Sequence, residues 1–134
     1  MNMATLNWLA ILVAAVSAFL VGGLWYSPAL FGRLWKNANG FGEKEPAPAG
    51  PATFAISFVL SLVMAFNLAM FLNDPKTNAA WGATAGFLAG FGWVLMGIAI
   101  VCQFERRPWS YVFVNGGYLT VALVLMGAIL GAWR

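Results

Sequence analysis

The side chains best placed for chemistry fall in two separated segments. Trp25, Tyr26, Arg33 and Trp35 lie in one, and Glu105, Arg107, Trp109, Asn115 and Tyr118 in the other. Asn115 and Tyr118 are about one helical turn apart. An amide and a phenol in apolar surroundings need hydrogen-bond partners, which loop backbone or Glu105 can supply. The chemistry this permits is recognition in a small polar pocket rimmed by aromatic rings. It is not catalysis. The chain has no His, which removes the imidazole base, the imidazole ligand and the usual pH switch. The carboxylates Glu43, Glu45, Asp74 and Glu105 all lie outside the apolar runs, and the single Cys102 has no base beside it. Met64, Met70, Met96 and Met126 lack His or carboxylate co-ligands and suit gap filling better than a metal. The expectation is a non-enzymatic protein with no catalytic residue, no metal and no cofactor.

The elements that position these groups follow from composition. Of 134 residues, 62% are hydrophobic, with 15 Gly besides, and 8% are charged, where a soluble domain carries about 25%. So few charges cannot cover a soluble globule of this size. Crossing a bilayer core takes about 20 apolar residues at 1.5 Å each. Four runs satisfy that, at approximately 6–25, 52–72, 80–102 and 111–133. None holds an ionisable side chain at its centre. The first lacks a basic segment before it and is too long for a signal peptide, so it is expected to stay as a span. The fold class is therefore an all-α integral membrane protein. Four helices in an antiparallel bundle make a single membrane domain over 1–134.

Loops one and three carry Arg33, Lys36, Lys44, Arg106 and Arg107, against Lys76 and Arg134 on the other side. That bias places these loops in the cytoplasm and both termini outside it. The net charge of +3 suits anionic lipid headgroups and is too thinly spread for nucleic acid. Ser27 before Pro28 predicts a helix start, and Leu30, Phe31, Leu34 and Trp35 then recur at helical spacing, which reads as a short interfacial helix. Gly40 and Gly42 end it, and 43–51 is linker-like. The polar turn 73–78 is short, which predicts that the second and third spans are neighbours.

Gly82, Gly86 and Gly90 stand four apart in the third span, and Gly127 and Gly131 repeat the spacing in the fourth. Such stripes let another backbone approach closely, the main source of helix association in lipid. They predict helix-packing faces, either within the chain or between chains. Ser17, Ser57, Ser61, Asn67, Thr84 and Thr120 are expected to make interhelical hydrogen bonds, with lining of a path as the alternative. The interfacial residues named first also fit a plain aromatic belt with snorkelling cations. The lack of intramembrane charge favours the belt over the pocket.

The run Gly22-Gly23-Leu24-Trp25-Tyr26-Ser27-Pro28, with Leu30-Phe31-Gly32 and Trp35, resembles the opening motif of the bacterial family called domain of unknown function 1761. Phe104-Glu105-Arg106-Arg107-Pro108, Asn115, Gly117-Tyr118 and Met126-Gly127-Ala128-Ile129-Leu130 are similar to its closing motif. The resemblance implies a small four-span protein of the bacterial inner membrane and supplies no activity. With no chemistry in the spans, the reading is a small accessory or structural subunit. It would pack through its Gly-rich faces against a larger complex, with lipid and other membrane subunits or itself as partners. A small homodimeric carrier or exporter of apolar molecules or lipids is the alternative.

Overall fold

The computed structural model describes residues 5–40 and 50–133, and every regular element among them is helical. Lys44, Arg134 and residues 43–49 of the linker-like run lie outside the described residues. Four helical runs are long and apolar enough to cross a membrane. They are α1 (Trp8–Trp25), α3 (Pro51–Phe71), a composite third span and α6 (Trp109–Ala132). The composite consists of α4 (Ala79–Ala89), a π-helical segment (Gly90–Leu95) and α5 (Met96–Glu105). A short helix, α2 (Gly32–Ala38), follows the first span.

Local chemistry sets the ends. Asn7 and Asn78 cap α1 and α4, their side-chain oxygens accepting from the Ala10 and Trp81 amides at 3.0 and 2.8 Å. Pro51 takes the first turn of α3, where its missing N–H costs nothing. Arg106 closes α5 in the left-handed conformation, with φ 57°, and Pro108 then begins the approach to α6. At the opposite end, Thr5 donates to the Asn73 side chain at 2.8 Å, and Asn7 donates to the Trp133 carbonyl at 3.1 Å.

The hub is α6, the most buried span, with α4 along one side and α1 along another. In turn α3 packs chiefly on α1, whose buried side is lined by Ala10, Ala14, Ala15 and Ala18. The lateral order is thus α3, α1, α6, α4. This corrects the expectation drawn from the short 73–78 turn. That turn is present, with Asp74 accepting from the Lys76 amide at 2.8 Å, yet α3 and α4 diverge from it. Close approach went to the glycine faces instead, which left a cleft between α3 and α4.

The glycine stripes meet each other inside the chain. A Cβ on Gly82 would strike the Gly127 carbonyl, one on Gly86 the Leu123 carbonyl, and one on Gly131 the Asn78 carbonyl. A Cβ on Gly90 would lie 2.6 Å from the Thr120 Cα. Beyond Gly90 the stripe does not continue four by four. The next buried residue is Leu95, five further on, while Trp93 points out at 72% exposure. The π-helical segment supplies that extra residue and turns Leu95 onto Gly116, where a Cβ would stand 2.6 Å from Leu95 Cγ. Leu95, Cys102 and Val112 then form a small second core.

The interfacial helix exists but begins at Gly32, not Pro28. Ser27 does not cap it. Its hydroxyl donates to the Leu24 carbonyl at 2.7 Å, and its own carbonyl accepts from the Leu30 and Gly32 amides. Residues 26–31 are spent turning the chain back against α1, and a Cβ on Gly32 would lie 2.6 Å from the Tyr26 carbonyl.

Candidate functional site

The end of α1, the start of α6 and α2 together gather five of the nine predicted interfacial residues. Trp25 donates its indole N–H to the Val114 carbonyl at 2.8 Å, and its ring lies 4.4 Å from that of Phe31. Gly117 makes room for it: a Cβ there would stand 2.9 Å from the indole. Tyr26 donates to Asn115 Oδ1 at 2.7 Å, and Asn115 donates to the Tyr111 carbonyl at 3.0 Å. Tyr118 donates to the Ala18 carbonyl at 3.1 Å, its ring fitted against Gly22. The Tyr26 ring touches Tyr118 edge-on at 5.4 Å and Trp35 at 6.3 Å. Burial, with Tyr118 and Tyr111 adding to it, pushes the Tyr26 phenol up, so it stays neutral and remains a donor.

Arg33, Glu105, Arg107 and Trp109 do not join this cluster. Arg33 is exposed on α2, and Trp109 is 57% exposed, its ring 6.1 Å from Phe113. Glu105 meets Arg107, at 3.9 Å with both side chains well exposed. Arg107 also lies over the Tyr111 ring at 5.1 Å. The pair joins the last residue of α5 to the turn after it and does not tie α2 to the third span. Glu105→Gln should therefore change stability by no more than about 1 kcal/mol. Thermal melting in detergent checks this, and a larger loss would mean that the pair is shielded.

The polar groups of the cluster are engaged within the protein, and among the described residues no buried side-chain polar atom lacks a partner. The aromatic rings fill the space between α1, α2 and α6. The cluster packs α2 against the bundle.

The polar residues within the spans also differ from expectation. Ser17, Ser61, Thr84 and Thr120 donate to carbonyls three or four residues back on their own helices, at 2.6–2.9 Å. They do not bridge helices. Asn67 and Ser57 are the exceptions: both face outward from α3, and neither side chain has a hydrogen-bond partner among the described residues.

Two clefts lie away from this cluster. One of about 480 Å³ separates α3 from the third span, lined by Leu68, Leu72, Trp81, Ala85, Ala89 and Trp93 among others. A second, of about 440 Å³, opens at the opposite end near Asn7, Asn73 and Trp133. Sequence reasoning missed both. The clue to the first was the glycine pairing, which draws the third span toward α6 and away from α3. Among the described residues no group of His, Cys, Asp and Glu is assembled to hold a metal.

The family described as "Protein of unknown function (DUF1761)" matches residues 9–131 of the chain. No curated protein and no solved structure matches it.

Proposed function

The chain belongs to this family of unknown function, and from its geometry we propose that it is a non-enzymatic accessory or structural subunit that assembles laterally with other membrane proteins. The observation that carries this is the one-sided packing of α3. Ser61, Ala65, Leu68 and Ala69 turn inward, while Phe54, Ile56, Val59, Leu60 and Val63 are all more than half exposed. Lipid can solvate those apolar groups, and a partner helix can replace lipid there through close packing. Assembly through the glycine faces is not retained, because the chain's own helices fill them.

The test is excision of the protein from its native membrane in polymer-bounded lipid particles, followed by analysis of the polypeptides present. A fixed-stoichiometry companion set is expected. Particles holding this chain alone, with a co-purifying apolar compound, would favour the carrier reading. The specific observation behind that second reading is the apolar cleft beside Trp81 and Trp93.

Orientation in a bacterial inner membrane belongs to the same proposal. Of the described cations, Arg33, Lys36, Arg106 and Arg107 are carried by the first and third loops and Lys76 by the second. The positive end faces the cytoplasm and the termini lie outside it. In a Cys102→Ser background, Lys76→Cys should react with an impermeant thiol reagent in intact cells, and Arg33→Cys only after lysis. The opposite pattern would invert the topology.

A further inference from the structure

We infer that the cleft between α3 and the third span holds one acyl chain of an anionic phospholipid, drawn from the leaflet on the side of the 73–78 turn. This goes beyond assembly: it assigns a resident lipid to the cleft, whether or not other polypeptides join the chain.

Both walls are membrane spans, and Leu68, Leu72, Ala85, Leu88 and Ala89 give the cleft an apolar lining. It opens into hydrocarbon, where an empty groove forfeits the dispersion contacts of its lining. Along the third span it extends from Trp81 to Trp93, roughly 18 Å at 1.5 Å per residue. Trp81 is the third residue of that span. The cleft therefore starts at the interface and runs about as deep as one leaflet of a ~30 Å hydrocarbon core. Its volume of about 480 Å³, spread over that length, averages about 27 Å² in cross-section. That is the width of a single unbranched hydrocarbon chain. An α-helix, about 10 Å across, would need on the order of 1,400 Å³ over the same length. The cleft admits a chain and not a helix.

The two ends identify the molecule that carries the chain. At the interfacial end the 73–78 turn joins the walls, and Lys76 stands in it, four residues after Leu72 and five before Trp81. Lys76 is exposed, and its ammonium forms no ion pair among the described residues. Asp74, the acid of the same turn, accepts from the Lys76 backbone amide. The Trp81 indole N–H, at the mouth, has no acceptor among the described residues. A lipid phosphate supplies an anion for Lys76 and acceptor oxygens for the indole, at the depth where headgroups lie. At the deep end, Gly92 lies in the π-helical segment, and a Cβ there would meet nothing within 4 Å. Such irregular helical turns gather at functional sites. Here the missing side chain keeps the floor open for the end of the chain.

The test is photolabelling of the full chain in phosphatidylcholine vesicles that contain a little phosphatidylglycerol bearing a diazirine on one acyl chain. Digestion and mass spectrometry then locate the adducts. They should concentrate at 68–72 and 85–92, with few around Leu20, which is 70% exposed on α1. Gly92→Leu puts a side chain into the floor and should cut cleft labelling roughly fivefold or more, the lower bound for overpacking. Its melting point in detergent should not fall, because the new side chain meets open space. Gly97→Leu, equally open but outside the cleft, should label as the unmodified protein does. Lys76→Gln should lower the preference for this probe over its phosphatidylcholine counterpart about fivefold, the factor carried by one cation at a membrane surface. Adducts spread evenly over the lipid-facing helices, or cleft labelling indifferent to Gly92→Leu, would overturn the bound chain. Equal labelling of the unmodified protein by the two probes would overturn the anionic headgroup. The polypeptides found in excised particles are a separate readout, so the lipid site and the subunit reading can each fail alone.

Discussion

Gly86→Leu will separate α4 from α6 and lower stability in detergent by about 3 kcal/mol or more, while membrane insertion stays intact. Leu inserts favourably, so the cost is confined to packing. Its Cβ would meet the Leu123 carbonyl, which is backbone and cannot swing aside as a flexible side chain would. The helices must part, and the loss falls at or above the upper end of the usual overpacking range. Gly82→Leu should behave alike through the Gly127 carbonyl. Gly97→Leu provides the internal contrast, since a Cβ there meets nothing within 4 Å. It should be neutral or gain some of the roughly 1 kcal/mol that Gly forfeits in a helix. Thermal melting of the three variants side by side checks the assignment. Equal losses at 86 and 97 would show that glycine serves the helix backbone and not the contact.

Trp25→Ala will release α2 from the bundle and cost on the order of 3 kcal/mol, as for large aromatic deletions elsewhere. The indole fills the notch at Gly117, packs on Phe31 and donates to the Val114 carbonyl. Removing it opens a cavity between α6 and the turn that leads into α2. Trp25→Phe should retain most of the packing and lose only the hydrogen bond, about 1 kcal/mol. The specific readout is a cysteine at Leu34, 41% exposed on α2, whose labelling rate should rise in Trp25→Ala much more than in Trp25→Phe. A melting point that falls with no change at position 34 would mean that the clamp acts on the span alone.

These two expectations mark what the sequence disclosed and where it stopped. The four spans were legible because hydrophobic runs of bilayer length have few other uses. The stripes at Gly82, Gly86 and Gly90 and at Gly127 and Gly131 were legible as packing faces. Spacing alone carries no information about which helix fills them, and their mutual fit emerges only in three dimensions. The π-helical segment was hidden because Gly90 and Gly92 read equally well as an extension of the α-helix. The short 73–78 turn suggested that α3 and α4 pack together, but a turn fixes only its own ends. Backbone contact along α4 and α6 then decided where the third span lies. In the interfacial cluster, Trp25, Tyr26, Trp35 and Tyr118 came together because each has both a flat apolar body and a polar tip, and Asn115 joins them by accepting from the Tyr26 hydroxyl. Such residues settle where helix ends meet water. Arg33, Glu105 and Arg107 remained outside because headgroup water solvates them wherever they point. Asn67 had been grouped with Ser17, Ser61, Thr84 and Thr120, whose hydroxyls bond back to their own helix. Asn67 does not, and no signal in the sequence set it apart, since Asn115, likewise within a helix, donates to the carbonyl four residues back.

The central claim is that the outward face of α3 is covered in the membrane. It is tested most directly by oxygen accessibility of a thiol-linked spin label at Val63→Cys and at Leu20→Cys, each in Cys102→Ser protein reconstituted in native lipid. Both positions face outward in a single copy, at 51 and 70% exposure, so a solitary chain would give both labels the high accessibility of the lipid phase. The account predicts high accessibility at position 20 and markedly lower accessibility at position 63, with position 63 approaching position 20 once the protein is diluted to single copies in detergent. Equal, lipid-like accessibility at both positions in the native membrane would contradict it.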